Sequence, residues 1–350
     1  MKKDHVYTVV EAETARNRKD IFAIWERNYS NTFHDKYIWM YENKSNPSPF
    51  TWFITTAEGS KVGFAAISSR IMKIGEQILR AGQTIDLSVD KEHRTLRPAL
   101  LLQREMTARF QQKGIKFLYC FPNKLSEGLQ KRAGFKELGP FERWTKPLRS
   151  EYKLRNYVQN KSAGKVVSFV ADIALRILSK EFKFKKLRGL KTEIKESFDK
   201  RFNLLWDTAS LQHPIIGERN AAYLDWRFHQ FPNLTYKIFC LSNHQNELQG
   251  YIIYHLKNGL VSISDFLAVN TTLLDSLFTE FIKKMRLTDA TSITVNYFGT
   301  PIITERLKKY GFFKRLQEDK ILIYFSNKDF PSLNILDRNL WYLTPADRDI

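Results

Sequence analysis

Cysteine is nearly absent. Two occur in 350 residues, Cys120 and Cys240, each inside an apolar run and neither in a CxxC or CxxH spacing. That argues against a disulfide framework or a thiolate metal site, and buried free thiols in a reducing cytosol are the economical reading. No histidine, cysteine and acidic cluster has ligand spacing, so no metal is expected. No apolar run reaches the roughly eighteen uncharged residues that a spanning helix needs. The opening MKKDHVYTVVEAETARNRKD is basic at its start but has no apolar core, unlike a secretory leader, so a cytoplasmic location is expected. Nucleic acid is not an expected partner, because the aromatics lie in apolar runs and are not interleaved on a basic strand face.

Positive charge, by contrast, is in excess. The net charge is +19, against an unremarkable 43% hydrophobic and 27% charged content. Residues 1–150 carry 26 basic against 16 acidic side chains, 151–200 carry 13 against 6, and 201–350 carry 17 against 15. The field therefore sits on the first half and the middle, facing an acidic partner such as a nucleotide cofactor, a carrier protein, anionic lipid or nucleic acid. The length admits two domains, each large enough for its own core.

The most informative stretch is Thr84 to Phe135. An apolar run carrying one acid (Ile85, Asp86, Leu87, Val89) leads into a basic turn (His93, Arg94, Arg97), a helix-length segment, a second apolar run (Ile115 to Phe121) and a short segment closing on Gly134-Phe135. Strand, turn, helix, strand, helix puts a loop at a helix N-terminus, where free amides and the helix dipole favour an anion. Upstream, residues 5–12 read as a strand, Ile21, Phe22, Ile24 and Trp25 as a helix face, and Thr51–Thr56 with Val62–Ser68 as a hairpin.

From Phe198 the order repeats. NLLWDT mirrors FAIWER; YLDWRFHQFP mirrors YIWMYENKSNP, with Trp226 opposite Trp39; SISDFLAVN mirrors TIDLSVDKE, with Asp265 opposite Asp86; and LKKYGFF mirrors LQKRAGF. Asp86 lies 48 residues before Gly134, and Asp265 lies 46 before Gly311. Two copies of one fold explain matched order and spacing better than chance does.

This pattern resembles the GNAT superfamily of N-acyltransferases, over residues 5–145 well and 198–320 weakly. The resemblance implies a mixed-sheet α/β fold, here as two tandem GNAT-like domains (1–150 and 198–350, the second degenerate) joined by a basic helical linker (151–197). It implies acetyl-CoA or another acyl-CoA as donor, with the pantetheine arm in a V-shaped opening of the sheet, and a small primary amine as acceptor. The donor would lie on Leu87, Ser88 and Val89, on the turn Arg94-Thr95-Leu96-Arg97-Pro98-Ala99, and on Asn123, which is also a catalytic candidate. Arg97 stands where the family's turn has glycine; it either meets phosphate with its guanidinium or, like Arg94, is simply solvated. The resemblance makes Asp86 the candidate general base, and Asp265 at the matching place suggests equally that the acid serves the fold. The thiolate-protonating tyrosine four residues before Gly-Phe is replaced by Gln130 here and Leu307 in the second copy, so Tyr119 on the neighbouring strand becomes the substitute candidate. SDFLAVNTTLLDSLF has neither glycine nor arginine at the turn, so donor binding is expected only in the first copy.

Trp39, Trp226 and Arg227 are candidates for lining the amine-acceptor site, with core packing as the alternative for Trp226. The segment KVVSFVADIALRILSKEFKFKKLRGLK is either an interdomain helix with solvated lysines or an element docking to an acyl carrier protein or an anionic membrane surface. The terminal DRNLWYLTPADRDI, with Trp341 and Tyr342, is expected to pack back as a clasp. A catalytically inactive binding module of the same fold is the competing function.

Overall fold

The computed structural model describes residues 6–14, 16–29, 34–149, 187–317, 319–326, 330 and 333–349. Most of the expected middle linker, 151–186, lies outside the described residues.

In the first half, β1 (Tyr7–Ala12) pairs antiparallel with β2 (Phe50–Thr56), which forms the expected hairpin with β3 (Lys61–Ile74). A turn at Gly75 returns the chain as β4 (Gln77–Val89). Between β1 and β2 lie α1 (Arg18–Asn28), with Ile21, Phe22, Ile24 and Trp25 buried, and the short α2 (His34–Tyr37), which runs into a π-helical turn over Ile38–Glu42. The expected unit then follows as α3 (Leu96–Arg109), β5 (Phe117–Cys120) and α4 (Lys124–Arg132), before β6 (Lys136–Pro140) and β7 (Glu142–Pro147). Asn123 caps α4, its side-chain oxygen accepting from the amides of Leu125 and Ser126, and the helix stops at Gly134, whose φ of 99° is open to a residue without a Cβ.

The second half follows the same order. β8 (Lys191–Lys195) is a strand where the linker was expected to be helical, and it pairs with β10 (Lys237–Ser242) as β1 does with β2. Then come α5 (Arg201–Ala209), β9 (Ile215–Gly217), α6 (Ala221–Leu224) and a second π-helical turn, Asp225–His229. β11 (Leu248–Lys257), β12 (Leu260–Ala268), α7 (Thr271–Arg286), β13 (Ser292–Gly299), α8 (Pro301–Lys309), β14 (Phe313–Arg315) and β15 (Lys320–Phe325) complete the series, while β9 and β16 (Trp341–Leu343) have no counterpart in the first half.

A boundary at 150 does not separate the sheet. β7 crosses to lie between β13 and β14, while β15 returns to lie between β5 and β6, so each half receives a strand from the other. The two π-helical turns pack face to face. The Trp39 and Trp226 rings stack at 4.7 Å, and each indole N–H donates to the other's backbone carbonyl, at 2.7 and 3.2 Å. This buried contact satisfies both polar handles of two large apolar rings, which is how tryptophan stabilises an interface. Among the described residues, no helix is long and apolar enough to cross a membrane.

Candidate functional site

β4 and β5 run parallel but pair only at Gly82↔Leu118 and Gln83↔Tyr119. Beyond that point they part, and among the described residues the β5-facing backbone edge of Thr84 to Val89 has no strand beside it. The packing at Gly82 is tight, since a Cβ there would meet Ile67 and Leu118 below 3 Å. The gap opens into a cavity of about 580 Å³ lined from β4 by Thr84, Ile85, Asp86 and Leu87, from the β5 end by Cys120, Phe121 and Asn123, and from the flanking helices by Gln103 and Gln130. A groove of this size with an unpaired strand edge suits an extended ligand that can add to the sheet through amide hydrogen bonds.

Asp86 sits in this groove in a β-bulge, where Asp86 and Leu87 together oppose Ala65, and its φ is +54°. Aspartate tolerates this left-handed conformation better than most residues, and the side chain is tied down on both oxygens. Lys36 donates to one at 2.9 Å and Tyr41, delivered by the π-helical turn, to the other at 2.6 Å. Burial works against the charge on Lys36, but the Asp86 carboxylate outweighs it and holds the ammonium above its ordinary range. Burial and the same carboxylate raise the Tyr41 hydroxyl far above its usual value. Asp86 is thus committed to two partners.

Other expected site residues fall elsewhere. Alternation along β5 sends Cys120 to the groove and Tyr119 to the opposite face, where it packs between Phe117 and Phe121; of these only Phe121, just past the end of the strand, also reaches the groove. The buried Tyr119 hydroxyl has no hydrogen-bond partner among the described residues, and burial raises it well above its ordinary range. It does not line the groove. Cys120 does, but burial pushes its thiol up, so it is a neutral wall and not a thiolate nucleophile. Asn123 both lines the groove and caps α4. Ser88 and Val89 turn their side chains into the protein, leaving only their backbone to meet a ligand. Trp39, Trp226 and Arg227 do not line the groove either: the tryptophans fill the contact between halves, and Arg227 donates to the carbonyls of Pro345, Ala346 and Arg348.

At the turn, Arg94 braces the chain. Its Nε donates to the Val89 carbonyl at 3.2 Å and its Nη2 to Asn28 at 2.7 Å. Arg97 is exposed. Thr95 precedes α3 without a side-chain cap, and no acid stands in the helix's first turn, so its first amides and dipole face outward as an anion site requires. Pro98 sits in that first turn, where its missing N–H costs nothing.

Four further features complete the groove. Lys36 and Tyr41 come from the π-helical turn region. Phe231, Pro232 and Asn233 close the groove from the second half. Arg348 and Asp349 arrive from the far end of the chain; burial and the neighbouring Asp86 raise the Asp349 carboxyl above its ordinary range, against the pull of Lys36. Gln103 and Gln130 form a buried pair, Gln130 Nε2 donating to Gln103 Oε1 at 3.3 Å, while Gln103 Nε2 and Gln130 Oε1 have no partner among the described residues. Leaving such amide atoms unpaired costs about 1–3 kcal/mol each. Gln130 was legible as a departure from the family pattern; nothing in the local spacing pointed to Gln103.

The corresponding gap in the second half is filled. β12 and β13 pair in parallel from Leu260↔Ser292 to Ile263↔Val295, and beyond this β16 takes the edge of β13 while the Tyr342 hydroxyl donates to the Phe266 carbonyl. The expected clasp is therefore a strand in the sheet. Asp265 is fully buried there. It pairs with Arg219 and accepts from the Tyr251 and Thr344 hydroxyls at 2.7 and 2.6 Å. Arg219 also pairs with Asp347, which meets Arg70 at 3.1 Å. Burial disfavours the Asp347 charge, but Arg219 and Arg70 hold its carboxyl below the usual range. Two cations and two anions balance, with no charge left to face a ligand. What remains is a cavity of about 270 Å³ at the starts of α7 and α8, lined by His213, Asn270, Thr300 and Trp341.

No family model and no curated protein matches this sequence. Its architecture does match solved structures. A GCN5-related N-acetyltransferase from Anabaena variabilis ATCC 29413 superposes with a TM-score of 0.65 at 17% identity, over 91% of this chain and 72% of that one. A conserved protein from Enterococcus faecalis V583 gives 0.65 at 10% identity over 91% and 72%, and Eis1 from Mycobacterium abscessus gives 0.58 at 10% over 91% and 74%. The fold is the mixed α/β fold of GNAT proteins.

Proposed function

We propose that this protein is a GNAT-type N-acyltransferase built from two tandem copies of one fold, of which only the first keeps a donor site. The observation that carries the reading is the parting of β4 and β5 around a groove that has an unpaired strand edge on one side and an uncapped helix start at its mouth. The pantetheine arm of acetyl-CoA or another acyl-CoA lies along Thr84 to Val89, and its pyrophosphate meets the first amides of α3 beside Arg97. A primary amine on a small molecule enters from the side closed by Phe231, Pro232 and Asn233.

In the reaction the amine nitrogen attacks the thioester carbonyl, the C–N bond forms, the C–S bond breaks, and the thiolate leaves and takes up a proton. Asp349, whose carboxylate carries no ion pair among the described residues, accepts the amine's proton. Asp86 holds Lys36 and the bulge, and so shapes the groove and fixes the field in which Asp349 ionises. Neither Tyr119 nor Cys120 is available as the acid, so water protonates the departing thiolate.

Calorimetric titration with acetyl-CoA and with longer acyl-CoA tests this. One donor bound per chain, weakened by Arg97→Ala, is the expected result. An inactive module that binds no donor at all is the outcome that sinks the reading.

A further inference from the structure

Gln103 and Gln130 reach the groove from different helices, α3 and α4, and both are essentially buried, at 0% and 4% exposure. Each carboxamide has a donor end and an acceptor end, and their mutual contact uses one of each. The ends left over are one amide nitrogen, Gln103 Nε2, with its two N–H donors, and one acceptor oxygen, Gln130 Oε1. Turning both amides over leaves the same inventory, one amide nitrogen and one acceptor oxygen, with the residues exchanged. The pair therefore offers a complementary couple to whatever lies in the groove, irrespective of orientation.

The fold alone does not require polar groups here. Leu307, at the place in α8 that Gln130 occupies in α4, is apolar and buried, and the second gap is closed by β16. Amides stand where the groove is open, and leucine where it is filled.

We propose that Gln103 and Gln130 form a clamp that reads the amides of a pantetheine arm, one glutamine N–H donating to an amide carbonyl of the arm and one glutamine oxygen accepting an amide N–H. This rests on the donor assignment above and adds to it the group by which the arm is recognised. The arm carries two amides joined by a two-carbon spacer, so it presents an N–H and a C=O within reach of two adjacent side chains. A simple fatty thioester lacks these groups and would leave the pair unsatisfied.

The test compares affinities for CoA and for adenosine 3′,5′-bisphosphate, which keeps the nucleotide and lacks the arm, in the native chain and in Gln103→Leu/Gln130→Leu. Replacing both partners by apolar groups of similar shape preserves packing, and urea unfolding checks that it does. The ratio of CoA to bisphosphate affinity is expected to fall by about tenfold or more in the double variant, with bisphosphate binding unchanged. Holo-acyl carrier protein, bearing the same arm, is titrated in parallel against its apo form. A loss seen only there assigns the arm to a carrier, and a loss seen with CoA assigns it to CoA; both support the clamp. An unchanged ratio in a folded double variant that still binds CoA overturns the clamp and leaves the donor assignment standing. A native chain that binds neither CoA nor holo-carrier overturns both.

Discussion

Asp86 and Asp265 stand at matching places, each near a bulge where a parallel pair of strands comes apart, yet their surroundings differ. Around Asp86 the sheet stays open, the acid is held by one lysine and one tyrosine, and about 580 Å³ remains beside it. Around Asp265 the opening is taken by β16, and the acid is locked into a buried cluster with Arg219, Asp347 and Arg70. The same acid on the same kind of strand is a groove wall in one half and a structural bolt in the other. What separates them is the route of the last residues of the chain. The terminal segment plugs the second gap with Trp341 to Leu343 and then carries Arg348 and Asp349 into the first.

The contrast can be broken most forcefully at Arg219. Arg219→Met leaves Asp265 and Asp347 buried with half their compensation gone, and urea unfolding is expected to record a loss of about 3–5 kcal/mol. Asp86→Asn should cost about 1 kcal/mol or less, since Lys36 can reach solvent; equal losses would mean that both acids are structural.

Next in size is Asp349→Asn, for which acyl transfer should slow by about a hundredfold. The base must be ionised to act, so native kcat/KM should fall as pH drops through the raised Asp349 value, with the acid limb lying above the ordinary carboxylate range. The variant should lack that limb. A limb that survives in Asp349→Asn and vanishes in Asp86→Asn would return the proton to Asp86.

His213 in the remnant cavity of the second half is held neutral, its pKa lowered to about 3 by burial, with Arg219 and Lys73 adding repulsion. The unfolded chain binds this proton more readily, so the stability it confers is complete above the ordinary histidine value and is lost as pH falls from about 6.5 toward 3. At pH 4.5, about two units below the ordinary histidine value, the loss should be about 3 kcal/mol. A stability profile of His213→Gln is expected to lack this component; an unchanged acid slope would show the ring to be solvated.

The smallest effects sharpen the comparison most cleanly. Asn123→Ala and Asn270→Ala each remove a helix cap, of α4 and α7, and each should cost about 1 kcal/mol of stability. Only Asn123→Ala should also weaken CoA binding, because Asn123 lines the open groove. Equal effects on binding would place donor contacts in the second half as well.

Much of this fold was legible because its signals are local. The apolar alternation of β4, the hairpin of β2 and β3 and the closing glycine at Gly134 need only a few neighbouring residues. The strand exchange was not legible. β7 and β15 are short strands whose partners lie in the opposite half, and nothing in their own residues names those partners. The strand–turn–helix pattern singled out Asp86, Leu87 and Asn123, and all three line the groove. Tyr119 packs against Phe117 on the face of β5 away from Cys120 and is not part of the groove lining. The acceptor candidates Trp39 and Trp226 were recognised as a matched pair, but their match reflects contact with each other.

By itself, the sequence determined many of the secondary elements and the basic turn before α3, because periodicity and turn chemistry act within a few residues. Only the tertiary structure decided which opening stays open, which aspartate is neutralised by buried arginines, and that Gln103, Gln130 and Asp349 meet beside Asp86. Burial, ion pairing and sheet neighbours depend on residues distant along the chain, and those depend on where the final strand inserts.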